Sequence, residues 1–254
     1  MTSVVLHHGL LGGGMKVGRL EWSCFRNIDR AIAEDGYPVF VSAVHPTAGV
    51  EKRARQLRKW MLTILPKLDG PIILIAHSLG GLDARFMLAR LGMAGHVAAL
   101  ATICTPHRGS SLADWVVEHL GRRLGALKWA EMMGLEVGAA TDLTTERCAI
   151  FNREILDVPG VKYYSVSASR PRSEMPAFAR LSHSIIFEAE GKNDALVSVR
   201  SAKWGTYLTN WHADHWQTVN RQSVLGKPRQ PGEIADKYLE VIRTIEEDLR
   251  TDAK

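Results

Sequence analysis

The feature that most constrains the fold is a series of short, unbroken apolar runs that alternate with longer helical patterns. Four runs rich in β-branched residues and bounded by turn residues are predicted strands, at residues 3–9, 37–44, 71–77 and 97–104. Helical spacing fills the intervals at residues 22–34, 49–65 and 79–91. Strands that lack polar alternation are typical of a parallel sheet covered on both faces. The order strand, helix, strand, helix therefore predicts a doubly wound α/β sheet with right-handed crossovers.

This rhythm changes after Pro106. Residues 110–150 carry short helical patterns rich in Leu, Trp, Met and Ala but no convincing strand, so we predict a helical insertion there. Strand patterns return at residues 161–169 and 183–190, and a strongly periodic amphipathic helix follows at 232–250. Three glycines lie where the C-terminal caps of helices belong, at Gly36, Gly70 and Gly92. We expect one domain over residues 1–254, with a lid or cap insertion at about 110–150.

Composition and charge exclude several classes of function. Hydrophobic residues make up 46% of the chain and the formal charge is only +5, as in an ordinary globular protein with a sizeable core. The basic run KRARQLRK (Lys52 to Lys59) predicts the solvent face of an amphipathic helix, with Leu57 and Trp60 turned inward, so we expect no nucleic-acid partner.

Cysteine spacing and the chain start bear on cofactors and location. The three cysteines lie far apart without metal-ligand spacing, so we predict neither a metal, a cofactor nor a disulfide framework. No apolar run approaches the length of a membrane helix, and the start of the chain shows no signal-peptide pattern. We therefore expect a cytoplasmic protein without a transmembrane segment; the oligomeric state stays open.

The stretch LIAHSLGGLDARFM (Leu74 to Met87) carries the first chemical signal. Small residues stand two positions before and two after Ser78, between a predicted strand and a predicted helix. This is the G-x-S-x-G turn with alanine at its first position, which presents a serine hydroxyl above the sheet edge. A buried serine at a tight strand–helix junction is the structural alternative. Ser78 is thus a candidate nucleophile.

A serine nucleophile requires a histidine base and an acid that orients it. In α/β-hydrolases the chain order is serine, acid, histidine, with the last two on late loops. The best late acid is Asp194, in a Gly-Lys-Asn-Asp turn, although a turn role alone would also explain it; Asp214 is weaker. Two histidines then remain as bases, His212 and His215.

The glycine-rich segment HHGLLGGG (His7 to Gly14) follows the first strand. Such a loop can turn a backbone N–H toward a developing oxyanion, and a second N–H comes from the residue after the nucleophile, Leu79. The segment lacks the ending of a phosphate-binding loop. A flexible strand exit is the alternative interpretation.

With these residues in hand, the chain resembles the bacterial true lipases of the Pseudomonas and Burkholderia type and their shorter intracellular relatives. The stretches that carry the resemblance are VVLHHGLLGG, AHSLGGLDARFM, ICTPHRGSSLADW and NDALVSVRSAKWG with ADHWQTVN. They span residues 4–220 in the family's order. The resemblance implies an α/β-hydrolase fold and a triad of Ser78, Asp194 and His215, with the backbone N–H groups of Leu10 and Leu79 as oxyanion donors.

Departures from the family pattern limit what can be carried over. Ala76 and Ala195 replace glycines, and Gln217 occupies the position of a calcium-binding aspartate of secreted members, so no calcium site is expected. We predict a serine carboxylic ester hydrolase acting on small-molecule or lipid esters with an apolar acyl chain, in transient contact with a lipid interface. The predicted substrate-binding side chains lie in the insertion and are Trp115, Trp129, Met132 and Met133.

Several other functions share these residues. A thioesterase, an amidase, a polyester depolymerase or an acyltransferase would use the same triad. From a different class, a hydrolase fold without activity would act as a binding module.

Overall fold

A computed structural model describes residues 1–10, 12, 15–17, 20–22, 24–68, 70–121, 138–220 and 233–252. Its strands are β1 (Ser3–His7), β2 (Met15–Val17), β3 (Leu20–Trp22), β4 (Val39–Val41), β5 (Ile72–His77), β6 (Ala99–Ile103), β7 (Lys162–Ala168) and β8 (Thr206–Trp211). Its α-helices are α1 (Ile28–Glu34), α2 (Val50–Ile64), α3 (Gly80–Arg90), α4 (Ser111–Val116), α5 (Gly138–Asp142), α6 (Thr145–Glu154), α7 (Arg180–Glu190), α8 (Val199–Ala202) and α9 (Glu233–Asp252). A π-helical turn at Val117–Gly121 follows α4.

Six strands form one parallel sheet in the order β4-β1-β5-β6-β7-β8, and β2 and β3 form a separate antiparallel hairpin. The chain first moves outward from β1 to β4 and then returns to the other side of β1 with β5. This reversal opens a crevice at the carboxyl ends of β1 and β5, where ligands bind in such sheets. The predicted α/β sheet is confirmed.

Both faces of the sheet are covered. Val4, Leu6 and other alternate strand residues pack against α1 and α9 on one face. Val5, Leu74 and their neighbours pack against α2 and α3 on the opposite face. Because successive strand side chains point to opposite faces, this arrangement explains why the strand sequences are apolar without alternation.

Four expectations from the sequence differ from the structure. The predicted strand at 183–190 is wrong, because these residues lie in α7 with His183 and Ile186 buried at helical spacing. The edge strand β8 was missed because most of its residues are exposed or half-buried and it lacks an apolar face. The first predicted helix begins late, at Ile28, since residues 20–22 pair in the hairpin instead.

The fourth difference concerns the basic run on α2. Leu57 is buried as predicted, and Trp60 packs partly against the core. Arg53, however, is fully buried rather than exposed to solvent. Its position three residues after Val50 and four before Leu57 places it on the apolar side of the helix.

Among the described helices, none has the length and apolarity needed to cross a bilayer. Cys24, Cys104 and Cys148 are buried and unbridged.

Candidate active site

The turn that carries Ser78 joins β5 to α3 directly. Ser78 has a φ of 55°, in the left-handed region that a non-glycine residue rarely adopts. The residue is buried, with 8% of its surface exposed to solvent. Its N–H donates to the carbonyl of Ile103 at 2.9 Å, and its own carbonyl accepts from Thr105 Oγ1 at 2.7 Å. The strained conformation is therefore held by contacts on both sides of the residue, as expected for a nucleophile presented above a sheet edge.

Close backbone approach explains the small residues around this turn. A Cβ at Gly80 would lie 2.8 Å from the carbonyl oxygen of His8. A Cβ at Gly9 would lie 2.6 Å from Ser78 Cβ and 3.2 Å from the backbone nitrogen of Leu79. The loop after β1 therefore packs directly against the serine turn. Side chains at these glycines would force the two segments apart.

The structure brings Asp194 and His215 together. Asp194 is fully buried, and its Oδ2 lies 2.8 Å from Nδ1 of His215. Its Oδ1 accepts the N–H groups of Leu196 and Val197 at 2.9 and 2.7 Å, so the turn role and the contact with histidine coexist. A carboxylate only accepts hydrogen bonds, so Nδ1 of His215 carries the proton and Nε2 is left free to act as a base.

The other two candidates lie elsewhere in this region. Nε2 of His212, an exposed residue, contacts Glu174 Oε2 at 2.8 Å. Asp214 Oδ1 accepts the N–H groups of Trp216 and Gln217, which caps the turn after the histidine. Burial raises the pKa of Asp214. Neither side chain takes part in the Asp194–His215 contact.

His215 is also linked to the residue beside the nucleophile. The rings of His77 and His215 have centroids 4.7 Å apart. Thr218 Oγ1 donates to the carbonyl of His215 at 2.7 Å and lies 3.0 Å from Nε2 of His77. No hydrogen bond joins Ser78 Oγ to His215 in the described part of the chain. Hydrogen bonds between a nucleophile and its base are often long before substrate binds, so a substrate-free structure without this bond is consistent with the predicted pair.

The loop after β1 is oriented by His8. The N–H of Val44 donates to Nε2 of His8 at 3.3 Å, so Nδ1 carries the proton and donates to the carbonyl of Gly9 at 2.9 Å. In a trans peptide the N–H points opposite to the carbonyl, so this bond also fixes the N–H of Leu10. Burial and the nearby His7 lower the pKa of His8 to about 3. Leu10 itself is 38% exposed.

A buried ion pair under this loop was not predicted from the sequence. Arg53 Nε lies 2.8 Å from Asp83 Oδ2, and both side chains are fully buried. Arg53 also donates to the carbonyl of His8 at 2.6 Å, while Nε2 of His7 lies 3.0 Å from the same Asp83 oxygen. Burial raises the pKa of Asp83, and the adjacent guanidinium opposes that rise. The ion pair ties α3, which follows the nucleophile, to the β1 loop.

The predicted substrate-binding residues are only partly described. Trp115 lies on α4, is 36% exposed and stacks on His119 with centroids 4.5 Å apart. Trp129, Met132 and Met133 lie outside the described residues. An apolar pair that the sequence analysis missed lies beside His215, where the ring of Phe178, 59% exposed, meets the ring of Trp216 edge to face with centroids 5.0 Å apart.

No cluster of three His, Cys, Asp or Glu side chains suited to a metal ion occurs among the residues described.

The sheet order and the serine turn define an α/β-hydrolase fold, and solved structures agree. The chain superposes on a Staphylococcus hyicus lipase with a TM-score of 0.78 and 16% identity, covering 99% of this chain and 97% of that one. It superposes on a metagenomic carboxyl esterase with a TM-score of 0.76 and 24% identity, covering 97% and 76%. At such identities the likeness establishes the fold alone.

Sequence relatives carry lipase names. The chain is 30% identical over 214 residues to a Saccharomyces cerevisiae protein named triacylglycerol lipase 2, covering 81% of this chain and 65% of that protein. It is 32% identical over 121 residues to a Burkholderia plantarii triacylglycerol lipase, covering 46% of this chain and 33% of the relative. The chain thus spans less than two thirds of the yeast relative's length and about one third of the bacterial one's. No protein-family model matches the sequence.

Proposed function

We propose that this protein is a serine carboxylic ester hydrolase that forms an acyl-enzyme with esters carrying an apolar acyl chain. The observation that carries the proposal is the 2.8 Å contact between buried Asp194 and His215, next to a serine held in a strained strand–helix turn. The lipase and esterase names of the relatives support the same class of reaction.

The reaction begins with proton transfer. Nε2 of His215 takes the proton of Ser78 while the hydroxyl oxygen attacks the ester carbonyl, and Asp194 stabilises the imidazolium that forms. The same imidazolium then protonates the departing alcohol. Water, activated by His215, repeats the attack on the acyl-enzyme and releases the acid.

Two backbone N–H groups, those of Leu10 and Leu79, hold the oxyanion in this scheme. The packing of Gly9 against Ser78 and Leu79 supports it, since both donors then border the reacting carbon. Removing one such donor typically costs about 3–4 kcal/mol of transition-state stabilisation. The bond from His8 to the carbonyl of Gly9 keeps the first donor in place.

Residues 110–150 form the lid and the acyl pocket in this proposal. The insertion supplies Trp115, Trp129, Met132 and Met133, and the exposed Phe178 extends the apolar surface near Trp216. Such a surface suits a fatty acyl chain and transient contact with a lipid interface.

A serine variant tests the proposal. Ser78→Ala is expected to abolish hydrolysis of p-nitrophenyl esters and labelling by a fluorophosphonate probe, with the unfolding temperature unchanged. Ser173→Ala is the matched control because Ser173 is an exposed serine in a short turn, Arg172–Glu174, and has no role in the proposed reaction. A Ser78→Ala protein that retained most of its activity would refute the assignment. Acetate esters cleaved much faster than octanoate esters would refute the acyl pocket.

A further inference from the structure

A surface cavity of about 480 Å³ lies beside the loop that carries Asp194. Its lining residues are Arg108, Glu190, Lys192, Val199, Arg200 and Lys203. Four cations against one carboxylate leave a formal charge of +3 around a single concavity. None of these residues belongs to the catalytic machinery proposed above.

The one carboxylate is already occupied by other partners. Glu190 Oε1 accepts the N–H of Ser111 at 2.8 Å, and Oε2 accepts the hydroxyl of Ser198. Both bonds hold the Glu190 side chain in the wall of the cavity. Both carboxylate oxygens of Glu190 therefore bind neutral donors of neighbouring segments, and neither pairs with a lysine or arginine of the cavity.

The four cations have no acidic partner among the residues that the structure describes. Within the part of the chain that the structure describes, neither Arg108, Lys192, Arg200 nor Lys203 forms an ion pair with a carboxylate. Lys203 Nζ lies over the ring of Tyr207 at 4.4 Å, a contact that leaves its charge uncompensated. Like charges gathered around a concavity raise the local positive potential and attract an anion.

One of the cations is held rigidly. Arg108 Nη1 donates to the carbonyls of Arg200 and Lys203 at 3.1 and 2.5 Å, and its backbone N–H donates to Ser201 Oγ at 3.1 Å. A guanidinium has five N–H donors in a planar fork that matches phosphate oxygens. Because its position is fixed by the backbone of α8 and the residue after it, little side-chain entropy is lost when an anion binds.

We propose that this cavity is a binding site for a phosphate group. Lysine and arginine bind phosphate through charge-assisted hydrogen bonds, and the volume accommodates such a group with part of the molecule that carries it. The phosphate belongs either to a soluble phosphate ester or to the head group of an acidic phospholipid. The two sources share the chemistry of the site and are separated by experiment.

The cavity adjoins the loop that carries Asp194. The carbonyl of Lys192 accepts the N–H of Val199 at 2.9 Å, and the backbones of Asn193 and Ser198 form an antiparallel bridge, so both ends of the loop around Asp194 meet at the cavity. A ligand bound here contacts the folded loop and not the unfolded chain. Binding is therefore expected to raise the unfolding temperature.

Inorganic pyrophosphate is the first probe, titrated calorimetrically into the full chain at low ionic strength. The cavity variant is Lys192→Gln with Arg200→Gln. The matched control is Lys59→Gln with Lys67→Gln, which removes the same charge from exposed sites on α2 and the turn after it. We expect the cavity variant to bind about tenfold more weakly or worse and the control to bind like the wild type.

Equal affinity in all three proteins, or equal weakening in the two variants, would overturn the proposal, because binding would then follow net charge alone. The absence of any pyrophosphate binding by the wild type would overturn it as well. If the double variant unfolds, the single substitutions Lys192→Gln and Arg200→Gln are compared with Lys59→Gln in the same titration. Ester hydrolysis plays no part in this readout, so failure here is distinct from failure of the proposed function.

Vesicles distinguish the two sources of phosphate. Sedimentation is measured with phosphatidylglycerol and with phosphatidylcholine vesicles, in a Ser78→Ala background to prevent turnover. Binding to phosphatidylglycerol that falls in the cavity variant and is competed by pyrophosphate supports a lipid head group. Pyrophosphate binding that depends on the cavity, with vesicle binding unchanged in the variant, supports a soluble phosphate ester.

Discussion

The contact between Asp194 and His215 makes a prediction in which activity and stability separate. Asp194→Asn keeps an oxygen at the Oδ1 position, which accepts the N–H groups of Leu196 and Val197. The amide nitrogen replaces Oδ2 and donates to Nδ1 of His215, so the ring must carry its proton on Nε2. A ring in that tautomer has no free nitrogen with which to take the serine proton.

The expected loss follows from this tautomer change. When the acid that orients a catalytic histidine becomes an amide, kcat falls by about ten-thousandfold, or about 5.5 kcal/mol of barrier. Asp194→Ala should lose a similar amount of activity. It also leaves the N–H groups of Leu196 and Val197 unpaired, and a buried unpaired donor costs about 1–3 kcal/mol. The alanine variant alone should therefore unfold at clearly lower urea concentration.

The assay is steady-state hydrolysis of a p-nitrophenyl ester combined with urea unfolding. Asp214→Asn is the matched control, since its Oδ1 caps the neighbouring turn and the asparagine preserves that oxygen. Its kcat should stay within a few-fold of the wild-type value. An Asp194→Asn protein that kept more than about a tenth of wild-type kcat would refute the tautomer argument. Equal stability of the Asp194→Asn and Asp194→Ala variants would show that the hydrogen bonds from Leu196 and Val197 to Oδ1 do not stabilise the fold.

Two further predictions rest on packing and on burial. Gly9→Ala places a Cβ 2.6 Å from Ser78 Cβ, so the loop after β1 must shift. In the ester assay, kcat should fall by about a hundredfold while KM changes little. Gly95→Ala is the control, because its Cβ meets no atom within 4 Å, and it should leave both constants unaltered. His8, with its pKa of about 3 in the folded protein, takes up a proton more readily in the unfolded chain, so the free energy of unfolding should fall as the pH drops below about 6.5. The loss from His8 alone is about 2 kcal/mol at pH 5, and Asp83, whose pKa rises to about 7, gains about the same amount between pH 7 and pH 5. Burial also lowers the pKa values of His7 and His107, so the free energy lost through them on acidification leaves the folded protein less stable at pH 5. Urea midpoints at pH 7 and pH 5 measure the sum, and a midpoint that rises on acidification contradicts the reasoning.

Much of the fold and the centre of the candidate site could be predicted from the sequence because their determinants are local. The serine turn needs small residues within two positions of Ser78, and the acid loop needs an Asx-type turn at Asp194, so each is readable from a few neighbouring residues. The apolar strands β1, β5 and β6 are buried on both faces, and their composition records that burial.

Other features depend on tertiary contacts that leave a weaker trace. The SIIF run of α7 suits a strand as well as a helix, and only the burial of His183 and Ile186 decides between them. Arg53 resembles its solvated neighbours in composition, yet it pairs with Asp83 thirty residues later. Its place on the apolar side of α2 was the available signal. A buried arginine is stable at this position because its guanidinium donates to the Asp83 carboxylate and to the carbonyls of His8 and His45.

The sheet order also explains why the loop after β8, which carries His215, needs tertiary contacts that no local sequence motif predicts. Ser78 follows β5, whereas His215 follows β8, three strand positions away, which is about 14 Å at the strand spacing of a sheet. The loop must therefore reach back over the sheet edge, and its return is held at Thr218, whose hydroxyl contacts His77 and whose carbonyl accepts from Tyr238 at 3.0 Å. These contacts connect the loop to the serine turn and to the closing helix α9. The position of His215 consequently depends on side chains that have no part in the proposed proton transfer.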